Sequence, residues 1–379
     1  MQITVIGGGP AGCRTSELLA RAGHYVALLD AQGPWEKPCG GGLTAKAVRA
    51  GRFPADALPH GTIDRITVYY GDRKSVTLAP EEPPIVVSRR ELGAQMMAAA
   101  RSAGVRFIRD RAVRVAREGN RWKIETREDG LEADFIVGAD GATSFVRRNL
   151  GTPLSSEDLN VTLGYFIPNA TSSHMKIFFL PGMEGYIWSF PRPDHISYGL
   201  MTRPEPAWTS RCKTLLANFI EADLGPDALE QAEFYSAPVP GLRPGSWAAN
   251  RITGDGWALA GDAAGLVDPI TGEGIYYALR SAEMLAEAFP DPERYRMAVE
   301  RELVPELARA SAIYRRFYRG RFLGGSFRER MVQVARRSPT VRQILGNLIA
   351  GSQPYIGLKG RLVRSIPRVA FDMVRSRPG

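Results

Sequence analysis

The sequence predicts an α/β protein: a Rossmann-like domain, an antiparallel-sheet domain set within it, and a helical C-terminal region. Three observations predict it. The apolar run Ile3–Ile6 ends in Gly7-x-Gly9-x-x-Gly12, as a buried parallel strand does when it runs into a phosphate-binding turn. From about residue 155 to 240, strand-like segments follow one another with few helices between them, which is the pattern of an antiparallel sheet. After Gly274 the apolar spacing is helical, with breaks expected at Pro290, Pro305, Pro339, Pro354 and Pro367.

Taken in order, the first strand leads into a helix from Ala11 to about Ala22 that Gly23 ends, as a glycine just past a helix C-terminus does. Tyr25–Leu29 is the second strand and stops at Asp30. Residues 31–60 read as loop with a short helix. Ile66–Tyr70 and Ser75–Leu78 alternate around Gly71-Asp72 as a hairpin. A helix follows over Arg90–Ala103, then a strand over Val105–Ile108, a second hairpin within 112–127, and a return to the parallel sheet at Phe135–Val137. Thr162–Ile167, Met175–Leu180, Tyr186–Phe190 and Ile196–Met201 are strands, with a helix near Ser210–Glu221. Trp257–Ala260 is the last strand of the first domain. The expected division is 1–154 with 241–290 (including a hairpin insertion near 62–88), then 155–240, then 291–379.

A length of 379 residues suits two domains. A hydrophobic fraction of 44% with 23% charged residues is that of a water-soluble chain, and no apolar run reaches the roughly 18 residues of a membrane span. A strand at Gln2 leaves no room for a signal peptide, so a cytoplasmic location is expected. Cys13, Cys39 and Cys212 are far apart and are expected to be reduced thiols. Neither they nor the four histidines show metal-ligand spacing. Charge is uneven: from Tyr314 onward fifteen Lys and Arg face two acidic residues, a net +13, while the preceding residues sum to −4. A basic tail is either a solvated helical face or a surface for an anionic partner, with anionic lipid one candidate and nucleic acid another.

The first motif has a dinucleotide-binding logic. Gly7 permits the tight turn, Gly9 admits a pyrophosphate, and Gly12 lets the helix approach the strand. Pro10 and Ala11 begin a helix whose free N–H groups and positive dipole end face the phosphates. Asp30, 23 residues after Gly7, stands where it accepts from the adenosine ribose.

Other stretches carry a family resemblance. Gly138-Ala139-Asp140-Gly141 through Arg147 resembles the Asp-Gly motif of para-hydroxybenzoate hydroxylase-like flavoproteins, and Gly261-Asp262-Ala263-Ala264-Gly265 resembles their Gly-Asp motif. Glu36-Lys37-Pro38-Cys39-Gly40-Gly41-Gly42-Leu43, Gly185-Tyr186-Ile187-Trp188-Ser189-Phe190-Pro191 and Asp268 through Ala278 resemble the geranylgeranyl reductase family within that group. The resemblance implies a Rossmann-like FAD-binding domain with an antiparallel-sheet substrate domain. It implies that Asp262 binds the ribityl chain and that Asp140, Cys39, Gly40, Gly41 and Gly272 lie about the flavin. Gly274 and Ile275 would open a helix aimed at the flavin N1–C2=O edge. Arg89 matches an arginine at a helix start near FAD in this group, or is a surface charge.

The implied reaction is saturation of isolated double bonds in prenyl chains on lipids, quinones or chlorophyll precursors, with hydride from flavin N5 and a proton from elsewhere. No second glycine fingerprint follows a strand, so the reductant is left open between NAD(P)H and an electron-donor protein such as ferredoxin. An FAD-dependent monooxygenase acting on an aromatic substrate is the alternative. An unactivated alkene needs a well-placed proton donor and an apolar channel. Tyr165, Phe166, Phe178, Phe179, Tyr186, Trp188 and Phe190 alternate through the second domain as a channel wall or as ordinary sheet core, and Tyr186, Trp188 and Phe190 are the expected substrate residues. Cys39 is either the proton donor or a small residue chosen for fit.

Overall fold

The apolar runs become strands and the 3.6-periodic runs become helices in the computed structural model, which describes residues 1–52, 58–61, 63, 65–71, 74–204, 208–322 and 324–375. The chain opens with β1 (Gln2–Ile6), α1 (Pro10–Arg21), β2 (Tyr25–Leu29), β3 (Gly42–Leu43), α2 (Ala45–Gly51) and β4 (His60–Gly61). It continues through β5 (Arg65–Tyr70), β6 (Lys74–Leu78), β7 (Ile85–Val87), α3 (Arg89–Ser102) and β8 (Arg106–Ile108). Next come β9 (Ala112–Glu118), β10 (Arg121–Thr126), β11 (Gly130–Ala133), β12 (Phe135–Gly138) and α4 (Phe145–Leu150). The middle holds β13 (Leu159–Pro168), β14 (His174–Phe179), β15 (Gly185–Pro191), β16 (His195–Thr202), α5 (Trp208–Leu224) and β17 (Glu233–Pro240). The last part holds β18 (Thr253–Gly254), β19 (Trp257–Leu259), α6 (Ile275–Ala288), α7 (Pro292–Glu302), α8 (Val304–Arg319), α9 (Phe327–Arg337), α10 (Pro339–Ile349) and α11 (Leu358–Arg375).

The Rossmann-type sheet runs β18-β19-β12-β1-β2-β8. Its strands are parallel except β18. Ile3 pairs with both Phe135 and Val26, so β1 is central and its inner residues are buried, as a strand covered on both faces must be. The α1 helix packs on α3 and α6.

The second sheet runs β17-β13-β16-β15-β14-β5-β6. One face carries Ile187, Tyr198 and Leu200 against Leu216 and Ile220 of α5. The other carries Phe166, Trp188, Met201 and Tyr235. Farther along, Ile66, Val68 and Met175 meet Tyr314, Tyr318 and Val332 of the C-terminal helices.

Three sequence expectations change. The hairpin read as an insertion of the first domain is hydrogen-bonded into the second sheet: β5 pairs with β14, the one parallel pairing in that sheet. Its apolar face finds cover there under α9, and Asp72 of its turn lies outside the described residues. The hairpin within 112–127 is a three-stranded meander completed by β11. Pro367 sits inside α11 rather than ending a helix. Pro305 and Pro339 stand in the first turns of α8 and α10, where a missing N–H costs nothing.

Candidate active site

The phosphate end is built by backbone approach. Gly7 has φ +106°, and a Cβ there would stand 2.4 Å from the Ala139 carbonyl oxygen. A Cβ on Gly12 would stand 1.8 Å from the Gly7 oxygen, so α1 lies on its strand at a distance only glycine allows. The Cβ position of Gly9 meets nothing within 4 Å. Gly9 caps α1 with no side-chain hydrogen bond, Pro10 and Ala11 follow, and no acid occupies the first turn. The positive helix end is therefore open to an anion. Asp30 accepts from Gly8 N–H at 2.7 Å through Oδ2 and from Gln32 and Gly33 N–H at 2.9 and 2.8 Å through Oδ1, so it also holds the turn. Cys13 is buried. Burial first, then the charges of Asp30 and Glu17, push its thiol up to about 12, which makes it an inert packing group.

The two acidic motifs meet at Arg147. The Asp140 carboxylate accepts from Ser144 Oγ, Phe145 N and Val146 N, capping α4. Burial pushes its carboxyl above the usual range against those donors. Arg147 then donates to the Ala263 carbonyl at 3.0 Å and to Asn250 Oδ1 at 2.6 Å, which ties α4 to the Gly261–Gly265 turn. Gly261 N–H donates to Ser281 Oγ at 3.0 Å, fixing that turn to α6. Asp262 is half-buried beside Lys37, Nζ to Oδ2 3.6 Å.

The loop before α6 is equally determined. Asp268 Oδ1 accepts from Ile270 N–H at 2.8 Å, Gly272 N–H donates to the Asp268 carbonyl at 2.8 Å, and Tyr355 Oη donates to Asp268 Oδ2 at 2.9 Å. Glu273 accepts from Thr44 Oγ1 at 2.6 Å and pairs with Lys46 at 2.7 Å. Gly274 caps α6 without a side-chain bond, Ile275 opens it, and its first turn holds no acid. It is a second uncapped positive helix end.

The Cys39–Gly42 loop lies against the second sheet. A Cβ on Gly40 would stand 2.5 Å from Phe190 Cδ2 and 3.3 Å from Trp188 Nε1, so the loop rests flat on those rings. Arg192, fully buried, clamps it. Nη2 donates to the Cys39 carbonyl at 2.5 Å, and Nη1 reaches the Glu36 carboxylate and His195 Nε2. Ser197 Oγ donates to the same Cys39 carbonyl at 3.0 Å, and Gly41 carbonyl accepts from Val87 N–H. Glu36 caps α3 from outside, accepting from Ser88 Oγ at 2.6 Å and Arg89 N–H at 2.8 Å. Arg192 and Ser197 escape sequence reasoning, and Glu36 enters it only as part of the loop's resemblance, with no role. The one signal for Arg192 is its place two residues beyond the Phe190 ring.

Electrostatics single out Cys39. Burial pushes its thiol up, but the Arg89 and Arg192 guanidinium groups and Gly41 N–H, 3.3 Å from Sγ, outweigh it, and the thiol titrates below its ordinary range. Arg89 is buried, with an Nε that has no acceptor; it is no surface charge.

The aromatic series divides by strand parity. Tyr186, Trp188 and Phe190 share the face of β15 toward the loop, with ring centroids 5.9 and 6.3 Å apart, and Phe166 joins them. Tyr186 Oη donates to the Thr271 carbonyl. Phe179 lies farther along, against Tyr186 and the α8 aromatics. Tyr165 and Phe178 belong to the opposite face, under α5, because adjacent residues of a strand point to opposite sides.

Two uncapped helix ends, a glycine turn open at Gly9 and a buried arginine whose Nε has no acceptor fit the anionic and polar parts of FAD. The FAD binding domain family matches residues 1–294. The chain is 30% identical over 310 residues to the menaquinone reductase of Mycobacterium tuberculosis, covering 75% of each. It is 31% identical over 299 residues to the geranylgeranyl diphosphate reductase of Rhodobacter capsulatus, covering 75% of this chain and 73% of that one. Its fold matches the crystal structure of a geranylgeranyl bacteriochlorophyll reductase-like protein from Thermoplasma acidophilum, with TM-score 0.77, 21% identity, and 97% and 98% of the two chains covered. With the glycine motifs at the C-terminal ends of parallel β1, β12 and β19, and the segment before the Cys39–Gly42 loop joined to the last of them by Lys37 and Asp262, the chain belongs to the geranylgeranyl reductase family of FAD-dependent oxidoreductases.

Proposed function

We propose that this enzyme saturates isolated C=C bonds of a prenyl chain carried by a lipid-like molecule. The observation that carries the reading is the contact of the Cys39–Gly42 loop with the Tyr186-Trp188-Phe190 face, where even a methyl group on Gly40 has no room. That contact sets an apolar aromatic wall beside the one ionisable group of the loop.

Bound FAD, once reduced, supplies the hydride. The chain's own residues do the rest. The open N-terminus of α1, with Gly7, Gly9 and Gly12, takes the pyrophosphate, and Asp30 the ribose. Asp262, half-buried and paired with Lys37 at 3.6 Å, meets the ribityl chain. Asp140, by capping α4, keeps Arg147 and the Gly261 turn in register. Gly272, Gly274 and Ile275 present the α6 N-terminus to the flavin edge where negative charge gathers. Tyr186, Trp188 and Phe190 exclude water and hold the alkene. Cys39 holds a proton at Sγ, with Arg89, Gly40 and Gly41 setting its position and charge. The basic C-terminal region faces the anionic membrane from which such a substrate comes.

Mass spectrometry of geranylgeranyl lipids after anaerobic incubation with the protein and chemically reduced flavin tests the reading. Mass gains of two hydrogens are expected. A gain of one oxygen under air with NAD(P)H, and none of hydrogen, would replace this reading with the hydroxylase one.

A further inference from the structure

Among the described residues, six of the fourteen exposed large hydrophobic side chains lie between Ile356 and Val374. Chance does not put them there. Leu362, Ile366, Ala370 and Val374 repeat every four residues along α11, and Val363, Pro367 and Phe371 form the adjoining row. Rows spaced by four residues are neighbours on a helix. All seven are exposed. Arg364, Arg368, Arg361 and Arg375 line the border of the second row, and Lys359, four residues before Val363, heads that row at its N-terminal end; with Asp372 the helix is +4. Half-buried Leu358, Val369 and Met373 mark the remaining sector, toward α9 and α10. Asp372 accepts from Ser338 Oγ at 2.6 Å, so the helix is held to the body by that side.

We infer that α11 is a membrane-docking helix that lies in the plane of an anionic bilayer surface, with the Leu362–Val374 rows among the acyl chains and the arginines at the phosphates. An apolar sector bordered by basic residues is the pattern of an interfacial helix. No helix among the described residues is long and apolar enough to cross a membrane, so the arrangement is contact with one leaflet. A second copy of the chain is disfavoured as occupant, because two +4 helices repel. Pro367 lies in the exposed second row, and its ring nitrogen leaves the Val363 carbonyl without an in-helix partner.

The helix is also wired to the site. In the lead-in to α11, Tyr355 N–H and Ile356 N–H donate to the Glu306 carboxylate at 2.8 and 3.0 Å, and Tyr355 Oη donates to Asp268 Oδ2. Asp268 shapes the loop that starts α6. The membrane-docked helix is thereby fixed to the loop beside the aromatic wall. The inference rests on the prenyl-lipid reading for the substrate, but its test does not.

Full-length, FAD-loaded protein is floated with phosphatidylcholine vesicles, with and without phosphatidylglycerol. Binding is expected to the anionic vesicles and to fall at high salt. Arg364→Ser with Arg368→Ser should weaken it about 30-fold, from about fivefold per neutralised arginine. Ile366→Glu with Phe371→Glu should abolish it, and both variants should keep the flavin spectrum and the reduction of detergent-dispersed geranylgeranyl lipid. Equal binding by wild type and both variants overturns the inference. So does a doubled mass in lipid-free solution that the Ile366→Glu, Phe371→Glu variant reverses, which would make the face a dimer contact. Failure of the prenyl reading appears separately, as detergent-dispersed lipid left unreduced by a protein that still floats.

Discussion

Arg192→Met should loosen the Cys39 loop and raise the Cys39 thiol together. The side chain removed is fully buried, pairs with Glu36, and donates to the Cys39 carbonyl. Deleting one partner of a buried ion pair costs about 3–5 kcal/mol. Glu36 keeps its bonds from Ser88 Oγ, Arg89 N–H and Arg90 N–H, so the low end applies, about 3 kcal/mol. Unfolding entropy of about 2 cal/mol/K per residue over a chain of this length turns that into a melting shift of about 4 °C. The thiol effect has a fixed sign: Arg192 is the second of the two charges that hold Cys39 down, so its loss moves the titration to higher pH. The assay is differential scanning fluorimetry beside iodoacetamide alkylation against pH. Cys13 and Cys212 are buried, so Cys39 dominates the alkylation. Arg192→Lys should recover part of the thiol shift but little stability, because an ammonium lacks the planar fork that spans Glu36, His195 and the carbonyl. An unchanged alkylation profile in Arg192→Met would refute the electrostatic coupling. An unchanged melting point would refute the clamp.

Gly9→Ala and Gly12→Ala should separate cofactor contact from folding. The added methyl at 12 meets the Gly7 oxygen at 1.8 Å while at 9 it meets nothing within 4 Å, so Gly12→Ala should lose FAD and about 1–3 kcal/mol of stability. Gly9→Ala should keep the apoprotein's melting point and lose FAD; equal flavin content in Gly9→Ala and wild type counts against the pyrophosphate at this turn. His195 gives a pH signature. Burial, then Arg192, hold its imidazole below the ordinary range, with Asp194 and Glu36 opposing. The unfolded chain then binds the proton more readily, so stability is full above about pH 6.5 and falls as pH drops toward the lowered folded value. His195→Gln should flatten that part of the melting-point profile, and parallel profiles for the two proteins would remove His195 as its cause.

What the sequence showed and what it hid follow from range. The turn at Gly7–Gly12 is legible because strand, glycines and helix are adjacent, and the absent Cβ is itself the signal. The clamp on Cys39 is not. Glu36 and Arg192 are 156 positions apart and Ser197 is 158 from Cys39, and a buried arginine looks like any other arginine in a sequence. The β5–β6 hairpin was legible as a hairpin, but its alternation does not say which sheet will cover it. The aromatic series was legible as sheet, yet sorting Phe166 from Tyr165 needs the side each strand turns to the flavin motifs, and pairing alone fixes that. The amphipathic α11 was visible as charge; its apolar rows appear only once Pro367 is known to lie within one helix.

The charges around Cys39 decide how it can serve as an acid. Lowering a thiol's pKa makes it a stronger donor but leaves less of it protonated at neutral pH, and catalysis follows the product of the two. If Cys39 delivers the alkene proton, single-turnover reduction should fall as pH rises through a value below that of an ordinary thiol. Arg192→Met should move that fall upward, and Cys39→Ser should lose most of the rate while keeping FAD. Tyr186 and Tyr235 are the hydroxyls whose surroundings include the charge of Cys39, and burial pushes both phenols far up. A tyrosine donor would therefore stay protonated throughout, and the rate would be flat over the same range. A flat profile in the wild type, with Cys39→Ser still active, would take the proton from Cys39 and give it to Tyr186, whose hydroxyl already reaches the Thr271 carbonyl in the loop before α6.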